Sequence, residues 1–165
     1  MSPFSFAVIT MSDSGAQGLR DDTSGAALTE LLSDHGYRLC FYKIVPDRIE
    51  FIVEAVLQAL EAKGADLVLT TGGTGVSPTD VTPEAMDQVF DKEVPGMAEA
   101  MRAASLAITP KAVISRGRAG IRRQSLIINL PGSRKGALEN IDVLLPALDH
   151  ALEKIKGSTV DCAEG

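Results

Sequence analysis

ADLVLTTGGTGVSPTDVTPEA, residues 65–85, fixes the expectation for the fold. Residues 65–71 are an apolar run ending in threonines, the composition of a buried strand. Gly72, Gly73 and Gly75 then leave the backbone bare, and Thr82 as cap with Pro83 at the first helical position starts a helix through Met86, Val89 and Phe90. Strand, glycine turn and helix make one βα unit. Outward from it, FAVITM (6–11) and RLCFYKIV (38–45) read as strands that stop at Ser12, Asp13 and Ser14 and at Pro46 and Asp47. Residues 112–115 and 125–130 read as two more, joined by RGRAGIRRQ. Thr23 and Ser24 are candidate caps for a helix with Leu28, Leu31, Leu32 and His35 at helical spacing, ended by Gly36. Ile49, Ile52, Val53, Val56, Leu57 and Leu60 form the clearest amphipathic helix. Met97, Met101, Ala104 and Ile108 form another. The last, after PGS, turns Leu138, Ile141, Leu145, Leu148 and Leu152 inward, and Pro146 bends or restarts it. This alternation argues for an α/β fold with a mainly parallel sheet covered on both faces. The loops after the parallel strands then open at one carboxyl edge, gathering SDS, PD, GGTG and PGS.

The 165 residues suit one domain, 1–156, followed by a loose tail, 157–165. A net charge of −6 and 4% aromatic residues argue against a nucleic-acid partner, which needs a basic face or stacking rings. Local cations and backbone amides still suit a small anion. Cys40 and Cys162 make neither a ligand cluster nor a disulfide framework, and MSPFSFAVIT lacks the basic start and long apolar core of a signal peptide. With no stretch long enough to span a bilayer, a cytoplasmic protein is expected.

GGTG is neither a P-loop nor GxGxxG, yet its glycines allow positive φ and let amides approach an anion closely. The same residues also fit a tight structural turn. Asp80 follows, where a carboxylate either holds Mg²⁺ shared with phosphate oxygens or caps the helix. Asp47 ends another strand on the same edge, as a turn residue or as a second metal or positioning group. Ser12, Asp13, Ser14, Thr23 and Ser24 fit turns and caps as well as ligand contacts. Arg116, beside Ser115, suits a bidentate phosphate clamp, and Pro131, Gly132 and Ser133 open the last helix. Arg118, Arg122 and Arg123 read as a solvated hairpin surface, and His35 and His150 as packing residues. No nucleophile elbow and no zinc spacing occurs, which leaves phosphoryl chemistry run by positioning and a carboxylate-held Mg²⁺.

TTGGTG followed by DVTPEA, with SDS and DDTSG upstream and NLPGS downstream, resembles the molybdopterin-binding family of molybdenum cofactor biosynthesis, especially the single-domain MogA adenylyltransferases and their MoaB relatives. The resemblance runs from about residue 6 to about residue 155. It implies a three-layer α/β/α fold with a mainly parallel, partly mixed sheet, a homotrimer, and Mg-ATP and molybdopterin as substrates. It also implies AMP transfer from ATP to the molybdopterin phosphate with release of pyrophosphate, and transient contact with a molybdate-inserting protein. Some relatives keep the fold as non-catalytic binding or scaffold modules, the alternative reading. Asp80 matches the family's required aspartate and Asp47 a second. Gly72, Gly73, Thr74 and Gly75 match its phosphate loop, Ser115 and Arg116 a substrate-side element, and Pro131, Gly132 and Ser133 its PGS loop. Where the family pattern has Arg before the aspartate, this chain has Thr79, leaving a phosphate-facing cation to Arg20, Arg116 or Arg134.

Overall fold

β1 (Ser5–Met11) is buried along its whole length in the computed structural model, which describes residues 2–159. Its unbroken apolar run follows from its place, because it is flanked on both edges by parallel partners and covered on both faces. The partners are β2 (Arg38–Val45) and β3 (Leu67–Thr71). Among the described residues the sheet has six strands in the order β2-β1-β3-β6-β5-β4. β6 (Ser125–Leu130) continues the parallel set beside β3, whereas β5 (Ala119–Arg122) and β4 (Lys92–Glu93) add antiparallel pairs. The sheet is therefore mixed beyond β6.

Alternate residues of the strands feed two cores. Phe6, Val8, Leu67, Leu69, Leu126 and Ile128 pack against α2 (Thr23–Asp34), α5 (Pro95–Leu106) and α6 (Arg134–Ile155). Ala7, Ile9, Val68 and Ile127 face α3 (Ile49–Leu57) and α4 (Thr82–Met86) on the other side. α3 continues as a π turn over Gln58–Ala62. Helices on both faces make three layers, as expected.

Local readings were corrected in several places. Residues 112–115 are no strand: Pro110–Ile114 form a 3₁₀ turn, because Pro110 pre-sets its start and the Thr109 hydroxyl accepts from the Lys111 amide. The strand lies instead at β5, inside the stretch read as a connection. α2 is capped by Asp22, whose carboxylate accepts from the Gly25 amide, not by Thr23 or Ser24. Thr82 does not cap α4 either, since its hydroxyl donates to the Gly72 carbonyl at 2.9 Å. α6 runs on through Pro146, which sits on its exposed side, while Ile141, Leu144, Leu148 and Leu152 bury the opposite face along both halves. His35 and His150 are exposed. Arg118 is far from a solvated surface group: it pairs with Asp87 and Glu93, donates to the Pro83 carbonyl and lies 5.1 Å from the Phe90 ring. Arg122 likewise donates to the Val89 carbonyl, and only Arg123 is largely exposed. Cys162 and most of the tail expected at 157–165 lie outside the described residues.

The Phe90 ring needs the bare backbone of Gly120. A Cβ there would stand 2.5 Å from ring carbons. Gly120→Ala is expected to destabilise the protein by about 1–3 kcal/mol through overpacking, read as a lowered midpoint in denaturant unfolding.

Candidate functional site

Four strand ends deliver the polar residues. β1 stops at Ser12, whose amide still donates to the Val45 carbonyl at 2.9 Å, so β1 and β2 end side by side. The short helix α1 (Asp13–Ala16) begins there, capped by the Ser12 hydroxyl accepting from the Gly15 amide. Asp13 and Asp47 then lock the two strand ends together reciprocally: the Asp13 amide donates to Asp47 Oδ2 at 3.2 Å, and the Asp47 amide to Asp13 Oδ1 at 2.9 Å. Both acids thus serve as turn formers as well as cleft residues.

The glycine loop follows β3. Gly72 and Gly73 sit at φ 104° and 66°, the left-handed region where glycine is favoured. The carbonyls of residues 72–75 are each engaged: Gly72 with the Thr82 hydroxyl, Gly73 with the Thr82 amide, Thr74 with the Arg116 amide and Gly75 with Arg116 Nε. Its remaining amides, at 73–75, are what it can offer an anion. Asp80 closes the loop, accepting from the Ser77 amide at 2.9 Å while its own amide donates to the Ser77 carbonyl. Beside it, the turn after β6 is drawn in through Thr71 Oγ1 donating to the Pro131 carbonyl and Ser24 Oγ donating to the Gly132 carbonyl.

These turns surround a polar cleft of about 600 Å³. Asp47 and Asp80 both line it, together with Ser12, Asp13 and Ser14 at the start of α1, Thr23 and Ser24 from α2, Gly72 and Gly73 from the loop, and Gly132 and Ser133 from the β6 turn. The other expected residues fall elsewhere. Thr74, Gly75, Ser115 and Pro131 line a second, more apolar cavity of about 540 Å³, and Ser133 borders both. The glycine loop therefore forms a wall shared by two cavities, one residue pair on each side. Arg116 lines neither, because its guanidinium is held by Gly75, Asp80 and Glu84 behind the loop.

The cleft is strongly acidic. Asp13, Asp21, Asp22, Asp47 and Asp80 line it, against Arg20 as the cation among its described lining residues. Of the three candidate cations, Arg20 alone faces the cleft, since Arg134 opens α6 outside both cavities. Thr79 also lines the cleft. Partial burial, then the Asp13 and Asp80 carboxylates, push the Asp47 carboxyl above its ordinary value, while the Asp13 amide pulls the other way. Among the described residues no group of three or more His, Cys, Asp or Glu side chains forms a ready-made metal cage. Hard carboxylate oxygens in like-charge repulsion, without such a cage, fit an ion that completes its shell with water and phosphate, as Mg²⁺ does.

The raised Asp47 carboxyl carries a stability signature. Ionisation is disfavoured in the folded chain, so stability is lost as pH rises through the folded value and is retained below the unfolded one. Asp47→Asn is expected to melt above the wild type at pH 7–8 without metal, the difference vanishing below about pH 4. Thermal melts across that range check it.

Several cleft and cavity residues gave no local signal. Asp22, inside the DDTSG stretch, caps α2 and also accepts from Thr10 Oγ1 and Tyr42 Oη within the cleft wall. Lys111, Lys135 and Asn140 line the second cavity from elements whose spacing pointed only to packing. The basic pair after PGS was the one hint for Lys135.

Residues 7–150 match the family described as probable molybdopterin binding domain. A molybdopterin adenylyltransferase of Helicobacter pylori is 38% identical, over 99% of this chain and 94% of that protein. One of Pyrococcus furiosus is 40% identical, over 91% and 90%. The crystal structure of the molybdopterin biosynthesis enzyme MoaB from Thermus thermophilus superposes with a TM-score of 0.88 at 44% identity, covering 94% of this chain and 98% of that one.

Proposed function

This chain belongs to the family of probable molybdopterin binding domains, and from that premise we propose that it works as a molybdopterin adenylyltransferase of molybdenum cofactor biosynthesis. Its substrates are ATP and molybdopterin. A phosphate oxygen of molybdopterin attacks the α-phosphorus of ATP, the bond to the β-phosphate oxygen breaks, and pyrophosphate leaves. The observation that carries this reading is the convergence of Asp47, Asp80 and the Gly72–Gly73 backbone in one cleft.

The division of labour follows from the chemistry of the two cavities. The acidic, hydroxyl-rich cleft suits a metal-bound triphosphate, with loop amides and Arg20 on its oxygens and Asp47 and Asp80 as the residues that hold Mg²⁺. When bound, Mg²⁺ supplies neutralisation of phosphate charge. The second cavity, with Ile108, Ile114 and Pro131 beside Lys111 and Lys135, suits a planar pterin carrying an anionic phosphate. Ser133, on the border of both, marks where the two phosphates meet. Catalysis is then chiefly positioning: the shared loop holds two anions in line that repel each other in water.

A homotrimer and transient contact with a molybdate-inserting protein belong to the same reading, and the exposed Leu106 and Val113, outside both cavities, offer apolar surface for association. A cytoplasmic setting belongs to it too. No described helix is long and apolar enough to cross a membrane.

Pyrophosphate release from purified protein, molybdopterin and Mg-ATP tests the activity. Release that depends on molybdopterin supports it, whereas tight molybdopterin binding with no pyrophosphate would make the chain a binding module. Arg20 gives a finer test. Arg20→Ala is expected to raise KM for ATP by about tenfold, the loss of one charge-assisted contact, with little change in KM for molybdopterin. Thr79→Arg, which adds a cation to the same cleft, should recover part of that loss.

A further inference from the structure

Arg116 makes all its contacts on the outer side of the glycine loop. Its amide donates to the Thr74 carbonyl at 2.7 Å, Nε to the Gly75 carbonyl at 2.7 Å and Nη2 to the Asp80 carbonyl at 2.8 Å, while Nη1 pairs with Glu84 in the first turn of α4. One residue thus holds both ends of the loop and the helix that follows. The guanidinium matches this task because its donors stand in a fixed planar fork, which an ammonium cannot reproduce. Inside the loop, Asp80 is oriented by the Ser77 amide, and a Cβ on Gly75 would stand 2.7 Å from Asp80 Oδ2, so the carboxylate lies folded against the strap that Arg116 grips. On the other side of Arg116, Ser115 lines the second cavity, and its carbonyl and that of Gly117 accept from Arg102 Nη1 at 3.5 and 2.8 Å. Arg102 lines that cavity as well.

We infer that Arg116 is a positioning residue that sets the Asp80 carboxylate in the acidic cleft and couples it to occupancy of the second cavity. It touches neither ligand. A molecule seated against Ser115 and Arg102 bears on the segment 115–117, and Arg116 ties that segment to the Asp80 end of the loop, beside the direct contact that Thr74 and Gly75 offer from the shared wall. Linkage then requires that filling the second cavity change metal-nucleotide affinity in the first, and the reverse by the same factor. The inference rests on the reading of the cleft as a Mg-ATP site.

The test is Mn²⁺, as a paramagnetic stand-in for Mg²⁺, titrated with ATP in its α,β-methylene form, which cannot transfer AMP, against wild type, Arg116→Ala and Arg116→Lys, with and without molybdopterin. Wild type is expected to bind Mn²⁺ with ATP, and more tightly once molybdopterin is present. Arg116→Ala should weaken Mn²⁺ binding by about 10- to 100-fold, as loss of a group that orients a metal ligand does, and should reduce the effect of molybdopterin. Arg116→Lys keeps the charge without the fork and should stay impaired; should the alanine variant fail to fold, the lysine variant alone decides. Wild-type Mn²⁺ affinity and wild-type coupling in a folded Arg116 variant would overturn the inference. A wild type that binds no Mn²⁺ with ATP would overturn the reading of the cleft, and the inference with it.

Discussion

Asp80→Asn is expected to lower adenylyl transfer by about 10²–10³-fold or more while the protein stays folded, as loss of one preorganised charge at a reacting phosphate does. Asparagine has nearly the volume of aspartate, and its carbonyl oxygen can still accept from the Ser77 amide, so the loop keeps its closing bond. What disappears is a negative charge on the wall of the cleft. The loss should be greatest at low Mg²⁺, and raising Mg²⁺ should recover part of it, because a weakened metal site responds to concentration while a collapsed loop does not. Wild-type turnover in the variant would remove Asp80 from the mechanism.

The second large effect belongs to Gly72. Its φ of 104° lies where side chains are rarely found, and a Cβ would stand 2.6 Å from the Met11 carbonyl oxygen, a main-chain atom at the carboxyl end of β1, which is paired on both sides. Gly132 packs from the other side, where its own added Cβ would be 3.3 Å from the Gly72 Cα. Neither neighbour has a flexible end to swing away. Gly72→Ala is therefore expected to cost about 3 kcal/mol in stability, strain and close contact together, seen in denaturant unfolding. The displaced loop should also lose ATP binding. Stability unchanged within error would mean that the loop backbone relaxes freely, contrary to a rigid shared wall.

The fold was legible where apolar pattern and turn chemistry agreed. β1, β2, β3 and β6 each announced themselves by a strand-forming run stopped by Ser, Pro or Gly, and their parallel order placed the four stop signals on one edge. Legibility failed where tertiary partners decide. β5 carries Gly120 and Arg122, poor strand formers, and is held by pairing with β6 and by Phe90 packed over Gly120. Val113 and Ile114 look like strand residues, but Pro110 and Thr109 impose the tighter turn.

The candidate site divides in the same way. Its acids, hydroxyls and glycines stood in the sequence because turns and ligand loops draw on the same residue types. That a single loop would face two cavities was not legible, since Gly72–Gly73 and Thr74–Gly75 differ only in which side of the wall they present. Nor was the role of Arg116. A lone arginine near a phosphate loop suggests a clamp, and only the carbonyls of Thr74, Gly75 and Asp80 around it show that its contacts are with the loop itself.

The most direct measurement is a crystal structure of this protein with Mg²⁺ and a non-hydrolysable ATP analogue. The metal is expected at about 2.0–2.1 Å from Asp47 and Asp80 oxygens, shared with phosphate oxygens that also meet the amides of the glycine loop. A triphosphate lying outside this cleft, or a metal bound while both carboxylates turn away from it, would contradict the account.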